Sequence, residues 1–327
     1  IQPNCTNAFE EPERWRYFDF DGRLPAMVND PDSFEVQPDG SIIQHGYSVM
    51  LPESYVFNAP HAGQELSLSE DIPKEDLAEL EVKLKEALPS AGSTASLGMY
   101  CRKARESTSR AIMFNGCAPG LGFRGGLANF SMLCLSEPDY VHRLHEILAR
   151  HCIEKLERLL PAIWPSIDIL MLSSDDQGTQ SDSILPPPVF RELFVPYYKA
   201  ITDSCRKLAP NLKIFLHSCG AIYPLLDDIA DCGFDVLNPV QWTAGGHSYL
   251  EWKDRCRKRL AFWGGGVNSQ TTLPLGSVDD VRREVSQIVP VLAKDSGYIF
   301  CNIHNLLAEI APEKIIAMYQ AAGACKY

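Results

Sequence analysis

Residues 212–220 read Leu-Lys-Ile-Phe-Leu-His-Ser-Cys-Gly. A short apolar run of strand length ends on His217, and Cys219 follows two places later. Five further short apolar runs punctuate the chain: 110–115 (RAIMFN), 168–172 (DILML), 234–237 (FDVL), 260–264 (LAFWG) and 297–301 (GYIFC). Each reads as a strand. The stretches between them carry a helical period. In 137–160 the apolar positions Val141, Leu144, Leu148, Cys152, Leu156 and Leu159 recur every three or four residues. In 277–293, Val278, Val281, Val285, Ile288 and Leu292 do the same. A helix over 186–207 opens on three prolines, where missing amides are harmless, and is expected to kink at Pro196. Another is expected over 312–323, starting at Pro312.

Strands that alternate with helices pair in parallel, with the helices outside. Six such units in a row exceed one nucleotide-binding half. The expected fold is therefore α/β, a closed (β/α)8 TIM barrel forming a single domain over 1–327; a doubly wound sheet is the alternative. Residues 1–100 form an irregular N-terminal part. Asp21-Gly22 and Asp39-Gly40 read as turns, 41–50 as one strand, and Leu77, Leu80, Leu84 and Leu88 after Pro73 as a helix. The remaining barrel strands are expected in this part or before Ile1, a first residue that leaves room for a missing or processed native start.

Composition narrows the function classes. Of the 327 residues, 45% are hydrophobic and 22% charged, which fits a globular chain and excludes wholesale disorder. No run reaches the length of a membrane span, and no basic-then-apolar leader opens the chain. A net charge of −12 with no basic tract argues against wrapping a nucleic acid. The eleven cysteines are odd in number and scattered without a CxxC pair. That is no secreted disulfide framework, and a reducing, cytoplasmic setting is expected.

In a parallel barrel the chemistry sits where strands end. Residues two apart in extended chain point the same way, so His217 and Cys219 can converge on one ion, a zinc-type nitrogen and sulfur pair. A third ligand should come from another strand end, and Cys301 and His304 follow the 297–301 run. Asp175 and Asp176 follow the 168–172 strand; adjacent carboxylates diverge, so one can face the pocket while the other anchors the loop. Asn238, Gln241, Asn268 and Gln270 follow two further strands and suggest a polar cleft. Gly120–Gly125 formally matches GxGxxG, but no acidic residue closes a second strand about 20 positions on. It reads as a glycine-rich turn. His142, His145 and His151 read as helix-face residues, and no GxSxG elbow supports serine catalysis.

Taken together, SSDDQGTQ (173–180), ILPPPVFRELFVPYYK (184–199), IFLHSCGAIYPLL (214–226), DVLNPVQ (235–241), FWGGGVNSQ (262–270) and IHNLLAEIAPEKIIAMYQAA (303–322) resemble the uroporphyrinogen decarboxylase superfamily. The resemblance is to its corrinoid-dependent methyltransferase branch and covers about two-thirds of the chain. It implies a (β/α)8 barrel and zinc (Zn2+) held by the His and Cys of an HxC motif and by a later Cys. His217 and Cys219 match the first two positions. At the third, His304 stands where the family carries Cys, with Cys301 as the alternative ligand. The resemblance further implies methyl transfer between a small-molecule donor or thiol acceptor and methyl-cobalamin on a corrinoid partner protein. The demethylating direction is favoured, with Asp175 and Asp176 as catalytic groups and Gln180, Asn238, Gln241 and Gln270 binding substrate. Two alternatives stand beside it. One is a cofactor-free decarboxylase of a uroporphyrinogen-like acid, whose arginine-rich N-terminal motif this chain lacks. The other is a non-catalytic barrel that binds a corrinoid or a partner.

Overall fold

The computed structural model describes residues 34–44, 48–52, 59–60, 72, 74–122, 124, 126–295, 297–307 and 309–325. Four short strands come first: β1 (Phe34–Val36), β2 (Ile42–Gln44), β3 (Ser48–Met50) and β4 (Ala59–Pro60). They pair antiparallel in sequence order. The Asp39-Gly40 turn joins β1 to β2, its Asp39 carboxylate accepting from the Ser41 amide at 2.9 Å. The expected single strand over 41–50 is two strands, β2 and β3, paired with each other. These four strands form their own sheet, separate from the parallel strands that follow. The Asp21-Gly22 turn lies outside the described residues.

Two helices follow, α1 (Leu77–Glu86) and α2 (Ala91–Ser107). Asp76 caps α1 by accepting from the amides of Ala78 and Glu79. The parallel unit then begins with β5 (Met113–Asn115), α3 (Leu127–Ser136), α4 (Pro138–Ile163) and β6 (Ile169–Ser174). It continues with α5 (Pro187–Leu193), α6 (Val195–Leu208), β7 (Lys213–His217), α7 (Leu226–Asp231), β8 (Val236–Asn238) and α8 (Tyr249–Cys256). It ends with β9 (Ala261–Trp263), α9 (Thr272–Leu275), α10 (Val278–Leu292), β10 (Tyr298–Ile299) and α11 (Pro312–Ala324). The expected kink at Pro196 is a full break. α5 stops at Leu193 and α6 restarts at Val195, which places Pro196 in a first turn, where its missing amide has no intrahelical partner.

The six strands β5 to β10 lie in strict sequence order, all parallel. A doubly wound sheet reverses direction at a switch point; this one never does, so the barrel reading holds and its alternative falls. Side chains alternate along the strands. Leu170, Leu172, Ile214, Leu216, Leu237 and Phe262 join the main core beneath the helices. Ile169, Phe215 and Val236, with Met171, Ala261 and Trp263 beside them, make a separate cluster on the inner face. Among the described residues no helix is long and apolar enough to cross a membrane. Of the ten cysteines among them, eight are buried.

His145 ties three elements together. It is fully buried on α4, with Nδ1 2.7 Å from the Leu193 carbonyl and Nε2 2.5 Å from the Leu121 carbonyl. Burial pushes its imidazole down to about 4, against the pull of both carbonyls. The folded chain therefore stays neutral here while the unfolded chain takes a proton below about 6.5. Stability from this group is complete above pH 6.5 and falls by about 3 kcal/mol as pH drops to 4. Urea unfolding of wild type and His145→Asn at pH 7 and pH 4.5 checks this. An acid-induced loss of the same size in both proteins refutes the assignment.

Candidate functional site

Strand register brings the site together. Ser174 on β6 pairs with His217 on β7, and His217 pairs with Asn238 on β8. Three chains thus leave the sheet at one level. His217 shares the parity of Phe215, and Asn238 that of Val236, so both belong to the inner face at the C-terminal mouth. The loop after β6 then carries Asp176 over the loop after β7. Its Oδ1 accepts from the Cys219 amide at 2.8 Å.

His217 Nε2 lies 3.3 Å from Cys219 Sγ and 3.8 Å from Asp176 Oδ1. One donor atom from each residue falls within 4.8 Å of the other two. The tautomer follows from the neighbours. Asn238 Nδ2 donates to the Trp263 carbonyl at 2.8 Å, which turns Asn238 Oδ1 towards His217 Nδ1 at 2.6 Å. Nδ1 must therefore carry the proton, and Nε2 offers its lone pair to the cluster. Burial pushes the Cys219 thiol up to about 12, and the Asp176 carboxylate adds to the effect. Left alone, this cluster would hold its thiol protonated. A divalent cation would satisfy a carboxylate, a thiolate and an imidazole lone pair at once. Nitrogen, sulfur and oxygen donors of this kind suit zinc, and three protein ligands leave a fourth position open.

Asp175 and Asp176 do diverge. Asp175 Oδ2 accepts from Ser173 Oγ at 2.6 Å and from the buried Tyr198 hydroxyl at 2.7 Å, and Asp175 is absent from the cleft wall. It braces the wall between β6 and α6. Asp176 lines a cleft of about 480 Å³ together with Cys219, Gln180, Gln241, Gln270, Ser269 and His304. Cys301 Sγ donates to Asn302 Oδ1 at 3.6 Å. The residue that the fold brings to the His217–Cys219 pair is Asp176, rather than His304 or Cys301. Asn268 is a loop brace: its Oδ1 accepts from the amides of Gln270 and Thr271. Gly122 packs against Asp175, and Gly120 and Gly122 belong to a turn ahead of α3; Phe123 and Gly125 lie outside the described residues.

Three features escape sequence reasoning. The place of Asp176 beside His217 and Cys219 depends on the β6–β7 register. Asn238 is hydrogen-bonded to His217 and to the Trp263 carbonyl and is not among the cleft-lining residues. The third feature is a backbone crossing: Gly178 and Gly220 touch, and a Cβ on Gly220 would sit 2.2 Å from Gly178 carbonyl atoms. A glycine within two residues of Asp176 and of Cys219 was the available signal.

Residues 122–324, more than half of the chain, match the family described as uroporphyrinogen decarboxylase (URO-D). The chain is 22% identical over 284 residues to uroporphyrinogen decarboxylase 2, chloroplastic, of Oryza sativa subsp. japonica, covering 85% of this chain and 60% of that protein. It is 26% identical over 213 residues to uroporphyrinogen decarboxylase of Syntrophotalea carbinolica, covering 61% and 57%. It thus spans less than two-thirds of the length of these curated relatives. Among solved structures, a methyltransferase from Methanosarcina mazei superposes with a TM-score of 0.54 at 18% identity, over 73% of this chain and 68% of that one. That likeness is one of fold. An unreversed parallel wall, a site at its C-terminal mouth and a family match across both lead to one assignment: this chain belongs to the uroporphyrinogen decarboxylase family and has its TIM-barrel fold.

Proposed function

We propose that this chain is a zinc-dependent methyltransferase. It takes a methyl group from a small-molecule donor, a methyl ether, a methylamine or a similar compound, and delivers it to the cobalt of a corrinoid partner protein docked at the barrel mouth. The observation that carries this reading is the convergence of His217 Nε2, Cys219 Sγ and Asp176 Oδ1, with the histidine tautomer set by Asn238. Zinc held there supplies Lewis acidity to the heteroatom that bears the methyl group. Cys219 and Asp176, as thiolate and carboxylate, would balance the charge of such an ion. Asn238 holds the imidazole plane. An ion held by His217, Cys219 and Asp176 would stabilise the electron pair that a departing methyl group leaves on its heteroatom.

The curated relatives carry the name decarboxylase, and the structural neighbour carries the name methyltransferase. The cleft favours the second. A uroporphyrinogen-like acid brings several carboxylates, which need cationic partners. Among the described residues no Lys or Arg lines this cleft, and Asp176 and Glu309 do. The test is a methyl-transfer assay. Zinc-loaded protein, a reduced corrinoid protein and a panel of methyl ethers, amines and thiols are expected to yield methylated corrinoid, read by its absorbance. No transfer in either direction overturns the proposal, and release of carbon dioxide from uroporphyrinogen would install the decarboxylase reading in its place.

A further inference from the structure

The amides around the cleft are wired in one direction. The Gly220 backbone N–H donates to Gln241 Oε1 at 2.8 Å. A backbone amide can only donate, so the Gln241 oxygen is fixed there and its Nε2 faces Gln180 Oε1 at 3.3 Å. From the other side, Gln270 Nε2 donates to the same Gln180 Oε1 at 3.0 Å, and Thr243 Oγ1 holds Gln270 Oε1 at 3.1 Å. Both lone pairs of Gln180 Oε1 are thereby used. Its Nε2 hydrogens have no protein partner among the described residues, and Gln180 lines the cleft. The network thus begins at the residue after Cys219 and ends on a pre-oriented donor.

The rest of the lining limits the ligand's charge. The wall carries aliphatic side chains, Leu273, Ile303, Leu306, Leu307 and Ile310, and the carboxylates of Asp176 and Glu309. Among the described residues an anionic ligand finds no Lys or Arg there. A quaternary ammonium finds no Trp, Tyr or Phe among the described lining residues, and it has neither a lone pair for a metal nor an acceptor for an amide N–H.

We propose that the cleft selects an uncharged methyl ether with a second oxygen on an apolar body, and that Gln180 Nε2–H holds that second oxygen. This rests on the metal-dependent reading of the same site. Calorimetric titration of zinc-loaded protein with 2-methoxyphenol, 2-methoxybenzoate and tetramethylammonium tests it. The neutral ether is expected to bind, with each ion at least about 10-fold weaker. Gln180→Glu keeps an oxygen to accept from Gln241 and Gln270 but loses the donor. It is expected to weaken the neutral ether about 10-fold or more at unchanged zinc content, roughly the loss of one buried hydrogen bond with an added repulsion. Gln180→Leu should weaken it by a smaller factor, about 5-fold. No binding of the ether, an ion binding as tightly, or full affinity in Gln180→Glu overturns the proposal. The two readings separate cleanly. Gln180-dependent ether binding without methyl transfer sinks the methyltransferase and leaves this inference standing. Methyl transfer from a charged donor does the reverse.

Discussion

Cys219→Ala is expected to leave the protein folded and to abolish stoichiometric zinc. Wild type should hold one zinc per chain after dialysis against free metal and gel filtration. Cys219→Ala and His217→Ala should lose more than about 100-fold in affinity, beyond the 10–100-fold typical of groups that only orient a ligand. Asn238→Leu should fall within that range, because it removes the acceptor that fixes the His217 tautomer while leaving all three donor atoms. Asp176→Asn should lose at least about 10-fold, by exchanging an anionic ligand for a neutral amide. His304→Ala and Cys301→Ala should change little, since neither joins the donor cluster. Metal analysis by mass spectrometry and competition with a chromogenic chelator read the whole series. Full zinc retention in Cys219→Ala would falsify the metal site. Release from His304→Ala, with retention in Asp176→Asn, would return His304 to the third position.

The same series shows what the sequence could and could not disclose. His217 and Cys219 were legible because both lie on one continuous strand exit, where spacing alone fixes their relation. Their partner was not. Asp176 reaches them only because β6 and β7 align Ser174 with His217, and the β6 ladder shifts register between Met171 and Ser173 on the way. No periodicity in a single chain records a shift of that kind. The inner strands were legible for a related reason. Each is a compact apolar run bounded by polar residues, as parallel buried strands tend to be. Helix α2 is the counter-example. Its sequence, AGSTASLGMYCRKARES, is rich in small and polar residues and buries only Leu97, Gly98 and Cys101. Its place is set by close approach to α4: a Cβ on Gly98 would lie 2.9 Å from the Ala162 carbonyl oxygen. Packing of that sort depends on a partner 64 residues away and leaves no local pattern.

Close approach also underlies the second large effect. The segments after β6 and β7 cross at Gly178 and Gly220, backbone against backbone. A Cβ on Gly178 would lie 2.4 Å from the Ala221 nitrogen; one on Gly220 would lie 2.2 Å from the Gly178 carbonyl carbon and oxygen. Gly220 also has φ +87°, which a side chain opposes. Neither neighbour is a flexible side chain that can swing away. The crossing is clamped on both sides. Ala221 N–H donates to the Thr179 carbonyl at 2.8 Å, Gln177 N–H to Ser218 Oγ at 3.0 Å, and Cys219 N–H to Asp176 Oδ1 at 2.8 Å. Forcing the chains apart therefore breaks these bonds and moves Asp176 away from Cys219. Gly220→Ala is expected to cost about 3 kcal/mol or more, combining backbone strain with a clash that only a loop shift relieves. Its zinc affinity should fall at least about 10-fold, since ligand geometry is lost along with stability. Gly178→Ala should behave alike without the φ contribution. Gly246→Ala is the control: its φ is +76°, yet nothing lies within 4 Å of its added Cβ. It should carry only the strain of a left-handed residue, about 1–2 kcal/mol, with zinc binding intact. Denaturant midpoints and chelator competition on the three variants decide the matter. If Gly220→Ala matches Gly246→Ala in both readings, the crossing does not set the distance between Asp176 and Cys219, and the metal-facing arrangement must be held by the β6–β7 register alone.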